Sequence, residues 1–180
     1  MIYVVRHGQT AWSQSGQHTG RTDVPLTDEG EAQARSLAPR LRRDWALVLC
    51  SPLQRARRTA ELAGLTPTVD EDLVEWDYGH AEGRTTAELR ERYGDGWTVW
   101  EDRELGETLE DVAARTRRVL SRVPNDGDTC LVAHGHVLRI LTAVYLQLDP
   151  GAAQHLVLDA AAVGILGHEH DWPALRGWNA

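Results

Sequence analysis

The chain has 180 residues, 42% of them hydrophobic and 26% charged, with a formal net charge of -8: an ordinary globular balance, long enough for one domain with a modest cap. The acidic balance excludes nucleic acid as a general partner, which needs a basic footprint, but not a small anion, since a few arginines make a local positive pocket. All 19 basic residues are Arg, which excludes a Walker-A phosphate loop with its obligatory lysine.

Two cysteines, Cys50 and Cys130, stand eighty residues apart and outside any C-x-x-C pair. They read as buried, reduced thiols of a cytosolic chain. Met1 to Arg6 lacks the basic leader of a signal peptide, and no run approaches the ~20 apolar residues of a membrane span. A soluble, cytoplasmic protein is expected.

In chain order, Ile2 to Val5 is a continuous apolar run ending in Arg-His-Gly, the pattern of a buried strand entering a functional loop. Thr27, followed by Asp28 and Glu29, starts a helix whose inner face is Leu37 and Leu41, with Pro39 predicting a kink or early end. Leu47 to Cys50 is a second buried strand, and Ser51-Pro52 is expected to open a helix through Leu62. Thr85 to Tyr93 reads as a short polar helix stopped by Gly94-Asp95-Gly96. Thr108 caps a helix with an apolar stripe through Leu109, Val112, Ala113, Thr116, Leu120 and Val123. After a turn at Asn125 to Asp128 come a third buried strand, Cys130 to Ala133, and a nearly all-apolar helix, Val137 to Leu148. Val163 to Leu166 and Ala174 to Trp178 suggest late strands. The alternation predicts an α/β fold, a three-layer α/β/α sandwich around a mostly parallel mixed sheet. Residues 1–180 are expected to form one domain, with 76–107, rich in Trp, as a small helical cap inserted over the site.

Three buried strands each end in a polar cluster: Arg6-His7-Gly8, Ser51 to Arg55, and His134-Gly135-His136. Ligands of open α/β sheets bind beyond the carboxyl ends of the strands. If these strands are neighbours, two arginines, two histidines and a helix N-terminus surround one point and form an oxyanion site. Each cluster alone is weak, since a lone R-H-G is common and R-A-R-R is usually a solvated face.

Together the clusters resemble the histidine phosphatase, or phosphoglycerate-mutase-like, superfamily from Val4 to about Gly167. Arg6-His7-Gly8-Gln9-Thr10 is similar to its R-H-G-[EQ]-T signature, Leu26-Thr27 with Gly30 to L-T-x-x-G, and Ser51 to Ala60 to S-x-L-x-R-A-x-x-T-A. Leu73, Glu75, Gly79, Glu82 and Gly83 follow its acid segment, Gly106-Glu107-Thr108 its G-E-[ST] turn, and Ala133-His134-Gly135 its last motif. The resemblance implies that His7 attacks phosphorus, that Arg6, Arg55 and His134 hold the non-bridging oxygens, and that Glu75 protonates the leaving oxygen and then activates water. Arg6 and Arg55 should also keep His7 neutral by like-charge repulsion, and Trp76 stands where it could desolvate Glu75. Ser13, Thr19 and Gly20 fall in the family's second phosphate-contacting loop, and Tyr78 and Gly135 are further candidates for binding substrate. No cofactor and no metal are implied; the partner is a small phosphorylated molecule, without nucleic acid or membrane, and a homodimer stays open. Gln9-Thr10-x-Trp12-Ser13 and Glu75-Trp76-x-Tyr78-Gly79 resemble the sugar-phosphatase branch that includes sedoheptulose-1,7-bisphosphatase. Three rival readings remain: a phosphoglycerate mutase, a non-catalytic phosphate-binding module, and a metal hydrolase using His134-x-His136 and His168-x-His170. Of these histidines, His136, His168 and His170 are expected at the surface or rim.

Overall fold

Alternation within the first strand sets the layers. The computed structural model describes residues 1–180. In β1 (Ile2–Arg6), Ile2 and Val4 point into one hydrophobic cluster, and Tyr3 and Val5 into another on the opposite face, as the period of two of a strand requires. Five further strands, β2 (Leu47–Cys50), β3 (Thr68–Val69), β4 (Thr129–Ala133), β5 (Val163–Glu169) and β6 (Trp172–Gly177), complete one sheet of order β3-β2-β4-β1-β5-β6. The pairings among β3, β2, β4 and β1 are parallel, while β5 and β6 are added antiparallel.

Seven α-helices cover the sheet: α1 (Ala11–Ser15), α2 (Asp28–Ser36), α3 (Ala38–Leu41), α4 (Gln54–Leu62), α5 (Thr86–Tyr93), α6 (Leu109–Arg122) and α7 (Gly135–Tyr145). The apolar stripes of α6 and α7 bury Val112, Val119, Leu138 and Leu141 in the first cluster, with Leu89 of α5; α3 and α4 supply Leu41, Ala56 and Ala60 to the second, with Leu37. The result is the expected α/β/α sandwich.

Local chemistry accounts for most element ends. Thr27, Thr85 and Thr108 cap α2, α5 and α6 through their hydroxyls, and Thr85 and Thr108 do so in reciprocal capping boxes with Glu88 and Asp111. The break foreseen at Pro39 falls at Leu37, which ends α2 and caps α3. Two expectations need correction. Ser51-Pro52 does not open α4: the helix starts at Gln54, whose amide is taken by Asp23 Oδ1 at 2.8 Å from a distant loop. The last apolar helix begins at Gly135, two residues before the expected Val137, with His134 as a cap that makes no side-chain cap bond. Short α1, two-residue β3 and three 3-10 turns (Glu71–Leu73, Gly79–Ala81, Pro150–His155) had no expectation; they are too brief to show a period.

The register brings the polar clusters together. Arg6 of β1 lies opposite Ala133 of β4, and Cys50 of β2 opposite Val132. His7 N then donates to Ala133 O at 3.0 Å and Ser51 N to Val132 O at 3.0 Å, so the three strand ends finish side by side.

The loop after β1 is held by the closest backbone approach in this region. A Cβ on Gly30 would lie 2.0 Å from Gln9 O, and one on Gly8 would lie 2.3 Å from Gly30 O; only glycine at both positions lets the loop sit against the first turn of α2. Gly8 N also donates to Thr59 Oγ1 of α4 at 3.0 Å. Gly30→Ala is therefore expected to cost about 1–3 kcal/mol by overpacking and to lower activity by shifting the loop that carries His7. Denaturant melts and turnover measured together test this; unchanged values in both would show that the contact does not hold the loop.

Candidate active site

Each residue of the site is placed by an element just described. His7 follows β1 and is buried, and its Nδ1 lies 2.7 Å from its own neighbour's carbonyl, Gly8 O. A carbonyl only accepts, so Nδ1 carries the ring hydrogen and the lone pair is on Nε2. Nε2 has no protein partner, and His7 lines a cavity of about 240 Å³. Its pKa is held well below the ordinary imidazole value, first by burial, then by Arg55 and Arg6. The expected repulsion from the two guanidiniums is present; burial outweighs it.

Arg6 lines the same cavity. Its Nη1 donates to Leu158 O at 2.6 Å, while its Nε is buried with no partner in the protein. Such an orphaned, charged donor is costly unless an anion satisfies it. Gly135 stands beside it: a Cβ there would meet Arg6 Nε at 3.4 Å.

Arg55 and His134 form the layer behind His7. Arg55 is fully buried, its Nη1 donating to Thr22 O and its Nη2 to Thr19 O and Gly20 O at 2.8–3.1 Å. Its Nε donates to His134 Nδ1 at 3.0 Å, so His134 Nε2 carries the hydrogen that meets Ser51 Oγ at 2.7 Å. The rings of His134 and His7 sit edge to face, 5.1 Å between centroids. Burial, then Arg55 and His7, hold His134 neutral as well. Neither Arg55 nor His134 is on the cavity wall; Arg55 straps the loop of Thr19 and Gly20 to α4.

Glu75 reaches the cavity from the segment before α5. Its Oε1 accepts from the amides of Trp76 and Val137 at 2.9 Å, and its Oε2 from His136 N at 3.0 Å. The early start of α7 makes those two free amides available, as a helix N-terminus does for any carboxylate. The Trp76 ring is used elsewhere: it packs against Trp100, and its Nε1 donates to Glu107 O at 2.8 Å. Glu82 and Glu107, the other acids of the motif region, are engaged with backbone: Glu82 holds the amides of Gly20 and Thr22, and Glu107 that of Asp77.

Of the remaining candidates, Ser13, Thr19, Tyr78 and Gly135 line the cavity, but Gly20 lies behind it with its amide on Glu82. A Cβ at Gly20 would meet Trp76 O at 2.4 Å, so the residue is there for close approach of two segments. Of residues 76–107, Tyr78 lines the cavity. The motif reading missed His18 and Arg139, which also line the cavity; His18 stands beside Thr19 of the second loop but was not singled out, and no motif residue adjoins Arg139. His136 is more enclosed than expected. It lines the cavity, bonds to Tyr78 Oη at 2.5 Å and is walled by Trp76 and Trp100. His168 and His170 are exposed on β5 and the turn after it, far along the sheet from His134, and no group of three His, Cys, Asp or Glu side chains converges in metal-ligating geometry.

This arrangement offers a neutral imidazole with an open lone pair, an unsatisfied guanidinium and a carboxyl group across one small cavity. The family model for the histidine phosphatase superfamily (branch 1) matches residues 2–180. The chain is 39% identical over 177 residues to an acid phosphatase of Mycobacterium tuberculosis, covering 94% of this chain and 87% of that one. It is 32% identical to the sedoheptulose 1,7-bisphosphatase of Saccharomyces cerevisiae, covering 96% and 90%. The solved structure of the Rv3214 open reading frame product of Mycobacterium tuberculosis superposes with a TM-score of 0.92 at 37% identity, over 99% of this chain and 96% of that one. With its sheet order, its His7 loop and a family match over nearly every residue, the chain belongs to the histidine phosphatase superfamily, and it is a phosphatase.

Proposed function

We propose that this enzyme hydrolyses small phosphate monoesters, sugar phosphates or related metabolites, through a phosphohistidine at His7. The observation that carries the reading is the His7 tautomer: Nδ1–H is tied to Gly8 O, and Nε2 is left neutral and open. Nε2 attacks phosphorus as the P–O bond to the leaving group breaks, and Glu75 gives that oxygen its proton. Water then attacks the phosphorylated nitrogen's phosphorus, Glu75 takes the water's proton, and the N–P bond breaks.

Arg6 lines the cavity and its Nε lacks a protein partner, so its guanidinium is the one whose charge an anion bound there would satisfy. Arg55 adds positive charge from behind the ring, where low dielectric strengthens its field. His134 steadies Arg55 and Ser51. The cavity lies below the ~300–1,000 Å³ of drug-sized sites and presents His18, Tyr78, His136 and Arg139 toward the substrate. Those polar groups suit a hydroxyl-rich metabolite, in keeping with the sugar bisphosphate named for the yeast relative. We also place the enzyme in the reducing cytoplasm. Cys50 and Cys130 are unpaired and buried, with the Cys50 thiol pushed up to about 12 and Cys130 likewise raised, both by burial first. Such thiols are inert. The formal charge of -8 supports a metabolite over nucleic acid, and no helix is long and apolar enough to cross a membrane.

His7→Ala is expected to abolish turnover of every phosphomonoester while the far-ultraviolet circular dichroism stays that of the wild type; retained activity would end the assignment. Glu75→Gln is expected to slow sugar-phosphate hydrolysis by ~10²–10⁴-fold, the usual contribution of a general acid. It should slow p-nitrophenyl phosphate far less, since p-nitrophenolate leaves without a proton; equal losses on both would remove Glu75 from the role.

The neutral histidines also predict a pH signature. His7 and His134 are held well below the ordinary value in the fold, whereas in the unfolded chain they take up protons near pH ~6.5. Their contribution is complete above that pH and is lost as pH falls below it, at up to about 1.4 kcal/mol per pH unit for each. Urea melts from pH 7.5 to 5.5 should show stability falling over this window, with a shallower slope in His7→Asn. A variant slope equal to wild type would show that His7 is not buried neutral.

A further inference from the structure

The segment that carries Glu75 is gripped on both sides by one ion pair, half-buried Glu107 with buried Arg115 of α6. Arg115 is 5% exposed. Its Nε and Nη2 donate to the two Glu107 oxygens at 3.0 and 3.2 Å, and its Nη1 donates to Asp72 O at 2.8 Å and Val74 O at 2.5 Å. On the other side of the acid, Glu107 Oε2 accepts from Asp77 N at 3.0 Å, and Glu107 O accepts from Trp76 Nε1 at 2.8 Å. Glu107 N completes the exchange by donating to Asp77 O at 3.2 Å. The pair therefore bonds residues 72, 74, 76 and 77, on both sides of Glu75.

We propose that Glu107 and Arg115 are positioning residues that aim the Glu75 carboxyl at the leaving oxygen; the proposal rests on the acid role given to Glu75 above. Two features set the pair apart from a structural bridge. The planar guanidinium spends every bond on this one segment and on the residue that shares its grip, which a point-charge lysine cannot reproduce. The approach is also close, since a Cβ on Gly106 would lie 2.3 Å from the Asp77 carboxylate. Proton delivery is sensitive to such placement, because a misplacement of about 1 Å costs on the order of 10²-fold.

The test is Arg115→Lys, which keeps the charge and loses the fork, beside Glu107→Gln, which keeps the size and loses the charge. Each is assayed on a sugar phosphate and on p-nitrophenyl phosphate, alone and combined with Glu75→Gln. Folding is checked by circular dichroism and thermal melts, and whichever variant stays folded carries the result. Expected is a kcat loss on the sugar phosphate of ~10–100-fold, with a loss of less than ~3-fold on p-nitrophenyl phosphate and little change in KM. Neither variant should add a further loss on the sugar phosphate once Glu75 is Gln, because residues acting through one group are not additive. Equal losses on both substrates, or a full additional loss in the Glu75→Gln background, would reduce the pair to a structural bridge. If Glu75→Gln alone shows no leaving-group dependence, the acid assignment itself fails and the proposal falls with it. A normal Glu75→Gln result with an insensitive Arg115→Lys sinks the positioning role alone.

Discussion

The hydrogen bond from His7 Nδ1 to Gly8 O fixes which ring nitrogen is open, and much of the fold serves to keep that bond in place. It is local, made between neighbouring residues, but the loop holds its shape only because Gly8 and Gly30 allow backbones to touch and because Thr59 of α4 takes the Gly8 amide. The parallel pairing of β1 with β4 and of β4 with β2 then decides what surrounds the ring. Burial keeps it uncharged, which a nucleophilic imidazole requires.

Electrostatics explains why Arg55 can be buried, and Arg6 half-buried, beside it without a carboxylate bridging either. Removing a guanidinium from water costs several kcal/mol, and an unmade bond to a charged donor a further ~1–3 kcal/mol or more. Arg55 offsets this with three loop carbonyls and the His134 ring. Arg6 is left with an unpartnered Nε. The asymmetry divides the labour: Arg55 is bound into the scaffold and contributes charge at a distance, while Arg6 holds a donor in reserve for an anion. Local rules are broken where function needs them broken.

The layers and most helices were legible in the sequence because the continuous apolar run at Ile2 to Val5, the apolar stripe at Leu109 to Leu120 and the Thr caps are local signals, whereas the neighbouring of the three strands was only a condition that the register then met. The ten candidate residues gather at or directly behind one cavity, seven on its wall and Arg55, His134 and Gly20 behind it. What stayed hidden was non-local. Asp23 caps α4 from another loop, so Ser51 is free to meet His134. Glu107 is committed to Arg115 by a fold contact that no motif announces. His18, His136 and Arg139 reach the cavity through loop and helix placement, and a histidine in sequence says nothing about which wall it will join.

The most direct measurement is the identity of the phosphorylated atom. Enzyme mixed with labelled substrate and quenched within one turnover should carry an acid-labile, base-stable phosphate on His7. Because Nδ1–H is held by Gly8 O, the label belongs on Nε2, and nuclear magnetic resonance of the isolated phosphopeptide distinguishes the two nitrogens. Phosphate on Nδ1, on a serine or aspartate, or a burst of product with no phosphoenzyme at all would contradict the account.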